Sequence, residues 1–122
     1  MSGQEIPPWL REQLARFEQL QQSLQAILVQ KQQVELEAAE VEKALEELKK
    51  ADQSEPVYKS AGSVLIRVKR EDLLKELEEK KELANTRLLV LSKQESRLRE
   101  NIKELQIKID EAIRGKGPTQ AS

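Results

Sequence analysis

Val57-Tyr58-Lys59-Ser60-Ala61-Gly62-Ser63-Val64-Leu65-Ile66-Arg67-Val68-Lys69 is the stretch that decides how this chain folds. β-branched residues are dense in it, and Val64, Ile66 and Val68 alternate. With Gly62 as a turn residue, it reads as two strands around a tight turn. The turn is expected at Ala61-Gly62, or as a three- or four-residue loop that uses Gly62. Ala61 suits a two-residue primed turn poorly, because that turn wants positive φ. Just upstream, Asp52-Gln53-Ser54-Glu55-Pro56 breaks any helix. A hairpin at this point lets the chain double back on itself.

On both sides of the hairpin the pattern is helical. From Trp9 to Lys50 there is no Pro or Gly, and Pro7-Pro8 suits a helix start. Alternating steps of three and four pick out Leu10, Gln13, Phe17, Leu20, Leu24, Ile27, Lys31, Val34, Ala38, Val41, Leu45 and Leu48. Ten of these twelve are apolar, which is a sustained heptad seam. Lys49 and Lys50 sit where a helix C-terminus favours cations. Downstream, Glu71 and Asp72 suit a first helical turn. The second seam is Leu74, Leu77, Lys81, Ala84, Leu88, Leu91, Glu95, Leu98, Ile102, Leu105, Ile109 and Ala112, again with ten of twelve apolar. Gly115 is placed to end this helix. The expected organisation is a single domain: a helix over residues 7–50, a hairpin over 57–69, a helix over 71–114, and loose tails over 1–6 and 115–122.

Folded at the hairpin, the two seams match. Leu48 meets Leu74, Leu45 meets Leu77, and so on through Val34/Leu88 and Leu20/Ile102 to Leu10/Ala112. The steps of three and four stay in phase throughout. Two unrelated helices have no reason to agree in this way. The expected fold is mainly α: an antiparallel two-helix coiled coil joined by a β-hairpin. The seam from Leu10 to Leu48 would be ~58 Å long at ~1.5 Å rise per residue. The polar seam residues Lys31 and Glu95 fall in adjacent layers and are candidates for a pair that sets register. The competing reading is that both snorkel to water, and a double-mutant cycle without coupling would favour it. Lys81, beside the hairpin, is expected to snorkel.

Composition excludes much chemistry. There is no His and no Cys, which removes the usual metal ligands, proton shuttles and thiol nucleophiles. Carboxylates lie among lysines on helices, where they read as a solvated face. No enzyme activity, metal or cofactor is expected. The absence of Cys fits a reducing compartment such as the cytoplasm. Basic and acidic residues number 21 and 22 and are interspersed, so no basic block points to nucleic acid or an anionic membrane. No apolar run is long enough to span a bilayer.

Two surfaces remain as candidates for binding. An isolated two-stranded hairpin is marginal in water, and its apolar edges invite pairing. Val57, Tyr58, Val64, Leu65, Ile66 and Val68 are therefore expected to join strands of other chains in a larger sheet or barrel. The alternative is that the hairpin caps its own helices. At the opposite end, Ile6, Trp9, Leu10, Leu14, Ile109, Ala112 and Ile113 form an apolar cluster. The seam explains only Leu10, Ile109 and Ala112, and the surplus suggests a binding surface. Simple end-packing is the competing reading. Gln19, Gln21, Gln22, Gln25, Gln30, Gln32 and Gln33 give the first helix an adaptable polar face beside Leu28 and Val29.

The layout resembles a known family. A Pro-led helix with Glu18-Gln19-Leu20-Gln21-Gln22-Ser23-Leu24-Gln25 is followed by Gln30-Lys31-Gln32-Gln33-Val34-Glu35-Leu36-Glu37. Then come the Tyr58-Lys59-Ser60-Ala61-Gly62 hairpin and a second heptad helix. Together, over roughly residues 6–113, these are similar to the archaeal prefoldins, with a single hairpin as in their beta class. The resemblance implies a hexamer of two alpha and four beta subunits with a central β-barrel made of hairpins. It implies coiled-coil ends that hold unfolded client proteins without ATP and deliver them to a group II chaperonin. A structural coiled-coil adaptor for one folded partner is the alternative. A holdase suppresses aggregation of unrelated unfolded proteins, and an adaptor does not.

Overall fold

The computed structural model describes residues 6–115. Most of the two expected tails, residues 1–5 and 116–122, lies outside them. The element order is α1 (Pro8–Lys50), β1 (Val57–Ala61), β2 (Val64–Val68) and α2 (Arg70–Ile113). Two long helices are thus joined by a two-stranded antiparallel hairpin.

Each helix starts and ends for a local reason. The first hydrogen bond of α1 runs from Arg11 N to Pro7 O at 3.0 Å, with Pro8 at the first helical position, where its missing N–H is no loss. At the other end Lys49 and Lys50 face the negative end of the helix dipole. Asp52 then makes a compact turn: its Oδ1 accepts from Ser54 N at 3.1 Å and its carbonyl from Glu55 N at 3.0 Å. In α2, Glu71 and Asp72 occupy the first turn, and Gly115 at φ +84° follows the last.

Internal contacts divide the chain into two compact units, residues 31–90 and residues 1–30 with 91–122. In the first, Val34, Leu45, Leu48 and Ala84 are buried, and Lys31, Ala38, Val41, Leu74, Leu77, Lys81 and Leu88 are half-buried. In the second, Leu91, Leu105 and Ile109 are buried. Leu10, Gln13, Phe17, Leu20, Leu24, Ile27, Glu95, Leu98, Ile102 and Ala112 are half-buried. All twelve seam positions of each helix are covered. Many are only half covered, because a pair of helices shields a side chain from one direction alone. Each such Leu or Ile then contributes about 1 kcal/mol rather than the roughly 2–3 of full burial.

Three ion pairs in the first unit show the antiparallel order. Lys49 meets Glu78 at 3.7 Å, Glu42 meets Lys81 at 3.2 Å, and Glu37 meets Arg87 at 3.5 Å. Positions fall along α1 as they rise along α2. All are well exposed and each adds at most about 1 kcal/mol. Lys81 leaves its seam position for the surface and ends on Glu42, so its charge stays in water.

The hairpin differs from expectation at its turn. Ala61 belongs to β1, paired with Val64, and the two-residue loop is Gly62-Ser63. Gly62 has φ +62° and no other residue in the turn has positive φ, which is the type II′ pattern with Gly first. The difficulty with Ala61 disappears because the turn lies one residue further on.

Candidate functional site

Each of the two surfaces singled out by sequence lies within one compact unit. The hairpin's register pairs Val57 with Val68, Lys59 with Ile66 and Ala61 with Val64, so these six share one face. Tyr58, Ser60, Leu65 and Arg67 share the other. The first face leans on the helices at its root, where Val57, Lys59 and Val68 are half-buried. Lys59 Nζ lies 2.5 Å from Glu76 Oε1 on α2. That neighbour holds the Glu76 carboxyl below the usual carboxylate range, chiefly through the Lys59 hydrogen bond. Further out the cover ends: Tyr58, Val64, Leu65 and Ile66 are exposed, Leu65 most of all at 72%. The hairpin caps its own helices only at its root. Its two edges carry no further strand among the described residues.

Arg70, the first residue of α2, donates from Nη2 to the Leu48 carbonyl, one of the last four of α1 and so without an intrahelical partner. Its Nη1 is buried without a partner among the described residues. A groove of about 480 Å³ runs between β1 and the helices, lined by Ala44, Leu48, Ala51, Val57, Leu73 and Leu77 among others. Neither Arg70, nor Glu76, nor this groove stood out in the sequence. The tie between Lys59 and Glu76 depends on the angle at which the hairpin meets α2.

At the open end, the structure separates the seven candidate residues. Ile109 is 4% exposed and serves the seam. Trp9, Leu10 and Ala112 are half-buried, while Ile6, Leu14 and Ile113 are exposed, Ile113 at 68%. Arg11 Nη2 donates to the Ile6 carbonyl at 3.2 Å, which fixes the chain just ahead of the helix. Leu14 directly follows seam residue Gln13, and Ile113 directly follows seam residue Ala112. In an antiparallel pair these positions lie on the same flank. Near the hairpin the equivalent positions hold the Lys49–Glu78 ion pair. At the open end charge has been replaced by two exposed aliphatic side chains. The other flank there is polar: Gln13, Arg16, Asn101, Glu104 and Lys108 line a shallow groove with Leu20 and Leu105.

Ile107, exposed on α2, belongs to the same unit and escaped sequence reasoning because it lies off the seam. Leu36, Leu83, Leu89 and Val90 are likewise exposed off-seam apolar residues of the hairpin-bearing unit. Listing apolar residues outside the heptad positions would have found all five. Of the two polar seam residues, Glu95 is mostly covered and accepts from Arg99 Nε at 2.9 Å. Lys31 is half-buried. Among the described residues no cluster of His, Cys, Asp or Glu could hold a metal ion, and no helix is long and apolar enough to cross a membrane.

Comparison with known proteins agrees with this geometry. A family model described as prefoldin subunit matches residues 11–116. The chain is 45% identical over 109 residues to prefoldin subunit beta of Archaeoglobus fulgidus, a match covering 89% of this chain and 94% of that protein. With the corresponding protein of Thermococcus onnurineus it shares 41% identity over 111 residues, covering 91% and 96%. The crystal structure of the prefoldin beta subunit from Thermococcus strain KS-1 superposes with a TM-score of 0.83. That match has 39% identity and covers 91% of this chain and 97% of that one.

Proposed function

The chain belongs to the prefoldin family of chaperone subunits, and on that footing we propose that it is an ATP-independent holdase subunit that binds non-native proteins at its open end. The observation that carries the reading is the exposed Leu14/Ile113 flank, where packing alone would be served by charge. Non-native chains expose apolar side chains that native ones bury. A small aliphatic surface suits many such segments weakly, as a general chaperone requires.

Ile6, Trp9, Leu10 and Ala112 extend that surface, and Ile109 supports it from beneath. The hairpin, through Val57, Tyr58, Val64, Leu65, Ile66 and Val68, serves assembly with alpha subunits and further beta subunits. The proposed assembly is a hexamer of two alpha and four beta chains in the cytoplasm that passes clients to a group II chaperonin. Neither binding nor release needs a nucleotide, because each step is contact between apolar surfaces.

The test is light scattering from an aggregating client, without ATP, using the assembled protein. Leu14→Glu with Ile113→Glu should lose most of the suppression while helix content and assembled mass stay as in the wild type. Unchanged suppression would remove the open end as the client site. Suppression of only one client among several unrelated ones would favour the adaptor reading.

A further inference from the structure

One stretch of α1 is without charge. Residues 19–30 hold no charged side chain, in a chain that is 35% charged. Gln19, Gln21, Gln22, Gln25 and Gln30 fall among them and are exposed. The matching stretch of α2 in the same unit, residues 92–103, carries Lys93, Glu95, Arg97, Arg99, Glu100 and Lys103. Helix formation does not account for the difference, since Gln, Glu and Lys favour helices about equally.

This uncharged surface continues the aliphatic one at the open end. Leu14, Gln21 and Leu28 each directly follow a seam residue and lie seven residues apart, so they line one flank. Gln25 lies one turn beyond Gln21 and one turn before Leu28, and so sits between them. On α2 the same flank is formed by Ser92, Arg99, Gln106 and Ile113, each directly after a seam residue. Arg99 is the one charged residue of that set, and Glu95 holds it, Nε to Oε2 2.9 Å. In the hairpin-bearing unit the equivalent positions hold Glu35, Glu42, Lys49 and Glu78, with Asn85 as the neutral member.

Resting on the reading that the open end holds non-native chains, we infer that an extended client segment lies lengthwise along this flank of α1. Aliphatic contacts hold it at Leu14 and Ile113 and again at Leu28 and Val29. Between them its backbone hydrogen-bonds to the exposed amides of Gln21 and Gln25. A glutamine amide carries both donors and an acceptor, so it can pair with the N–H and the C=O of a peptide. It gives up water at far less cost than a carboxylate or an ammonium would. From Leu14 to Val29 the helix rises ~22 Å, which is the length of about six or seven residues of extended chain. The substrate class is therefore an unpaired, extended stretch of that length. A formed helix has its backbone groups paired within itself and offers these amides nothing. Contact through backbone and aliphatic carbon is also indifferent to the charge of the client.

The chain contains no cysteine, so a photoreactive benzophenone can be attached at one introduced thiol. In the assembled protein it is placed at Ala15→Cys, Gln21→Cys, Gln25→Cys or, on the other flank, Asn101→Cys. Each variant is irradiated with unfolded, reduced and carbamidomethylated α-lactalbumin. Client cross-links are expected from the first three and far fewer from Asn101→Cys. Cross-links from Ala15→Cys with none from Gln21→Cys or Gln25→Cys overturn the lengthwise arrangement and leave the open-end reading standing. None from any of the three, with aggregation still suppressed, overturns both. Equal cross-linking from Asn101→Cys overturns the choice of flank. In a second measurement, charge of either sign is placed on the amides, as Gln21→Glu with Gln25→Glu or Gln21→Lys with Gln25→Lys. Each pair should weaken binding of this client about tenfold at unchanged helix content and assembled mass. Unchanged affinity, or a loss with one sign and a gain with the other, overturns backbone recognition by the amides.

Discussion

Lys59 in β1 and Glu76 in α2 form an ion pair, Nζ to Oε1 2.5 Å, that ties the inner face of the hairpin to the helix pair. Because Lys59 favours the charged carboxylate, the pair stabilises this attachment above the ordinary glutamate pKa of about 4.3. The contribution is lost as the pH falls through the lowered folded value of Glu76. In an NMR titration of the Glu76 carboxyl carbon, the midpoint should lie below that of an unpaired glutamate. Lys59→Met should move it back up. An unshifted midpoint in the wild type would mean that the pair does not form in solution.

The turn makes a second prediction. Gly62 has φ +62°, and a Cβ added there would meet nothing within 4 Å. Gly62→Ala therefore suffers no clash but must hold an L-residue at positive φ, a cost of about 1–2 kcal/mol. Ser63→Ala, at the neighbouring turn position without positive φ, should cost far less. Comparing the two by the concentration dependence of assembled mass separates turn strain from general loosening of the hairpin.

Seam and surface leucines should behave differently. Leu45, 2% exposed, should cost roughly 2–5 kcal/mol as Leu45→Ala, from lost transfer energy plus the cavity left behind. Leu36, on the same helix at 62% exposure, should cost no more than about 0.5 kcal/mol as Leu36→Ala. Chemical denaturation followed by circular dichroism measures both. Equal costs would contradict the seam.

Trp9 is the chain's one tryptophan and lies half-buried at the open end. Its fluorescence should shift to the blue when a non-native client is added, as client carbon replaces water around the indole. A native, folded form of the same client should leave the emission unchanged. The chain's one tyrosine, Tyr58, is in the hairpin and so stands far along the sequence from that signal.

Much of this was legible in the sequence because its causes are local. Helical periodicity marked every covered seam position, including the polar Gln13, Lys31, Lys81 and Glu95, since a heptad step needs only neighbours along one helix. The family was legible too, from a glycine hairpin set between two such helices. The turn was legible only as one that uses Gly62, either at Ala61-Gly62 or in a three- or four-residue loop; that it is Gly62-Ser63 depends on pairing across two strands. Sequence also grouped Ile109 with Ile113, which differ sharply in exposure although only one helical turn separates them.

The sequence by itself therefore determined the two helices, their shared register, the hairpin between them and the family. Each follows from repeating local preferences that are satisfied many times over. Tertiary structure decided the rest. It tilted the hairpin so that Lys59 reaches Glu76 and Val57 is half-covered while Val64 and Ile66 are not. It also opened a groove beside one strand edge and not the other. These depend on the angle at which a sheet meets a helix pair. That angle is set by a few long-range contacts rather than by any repeat along the chain.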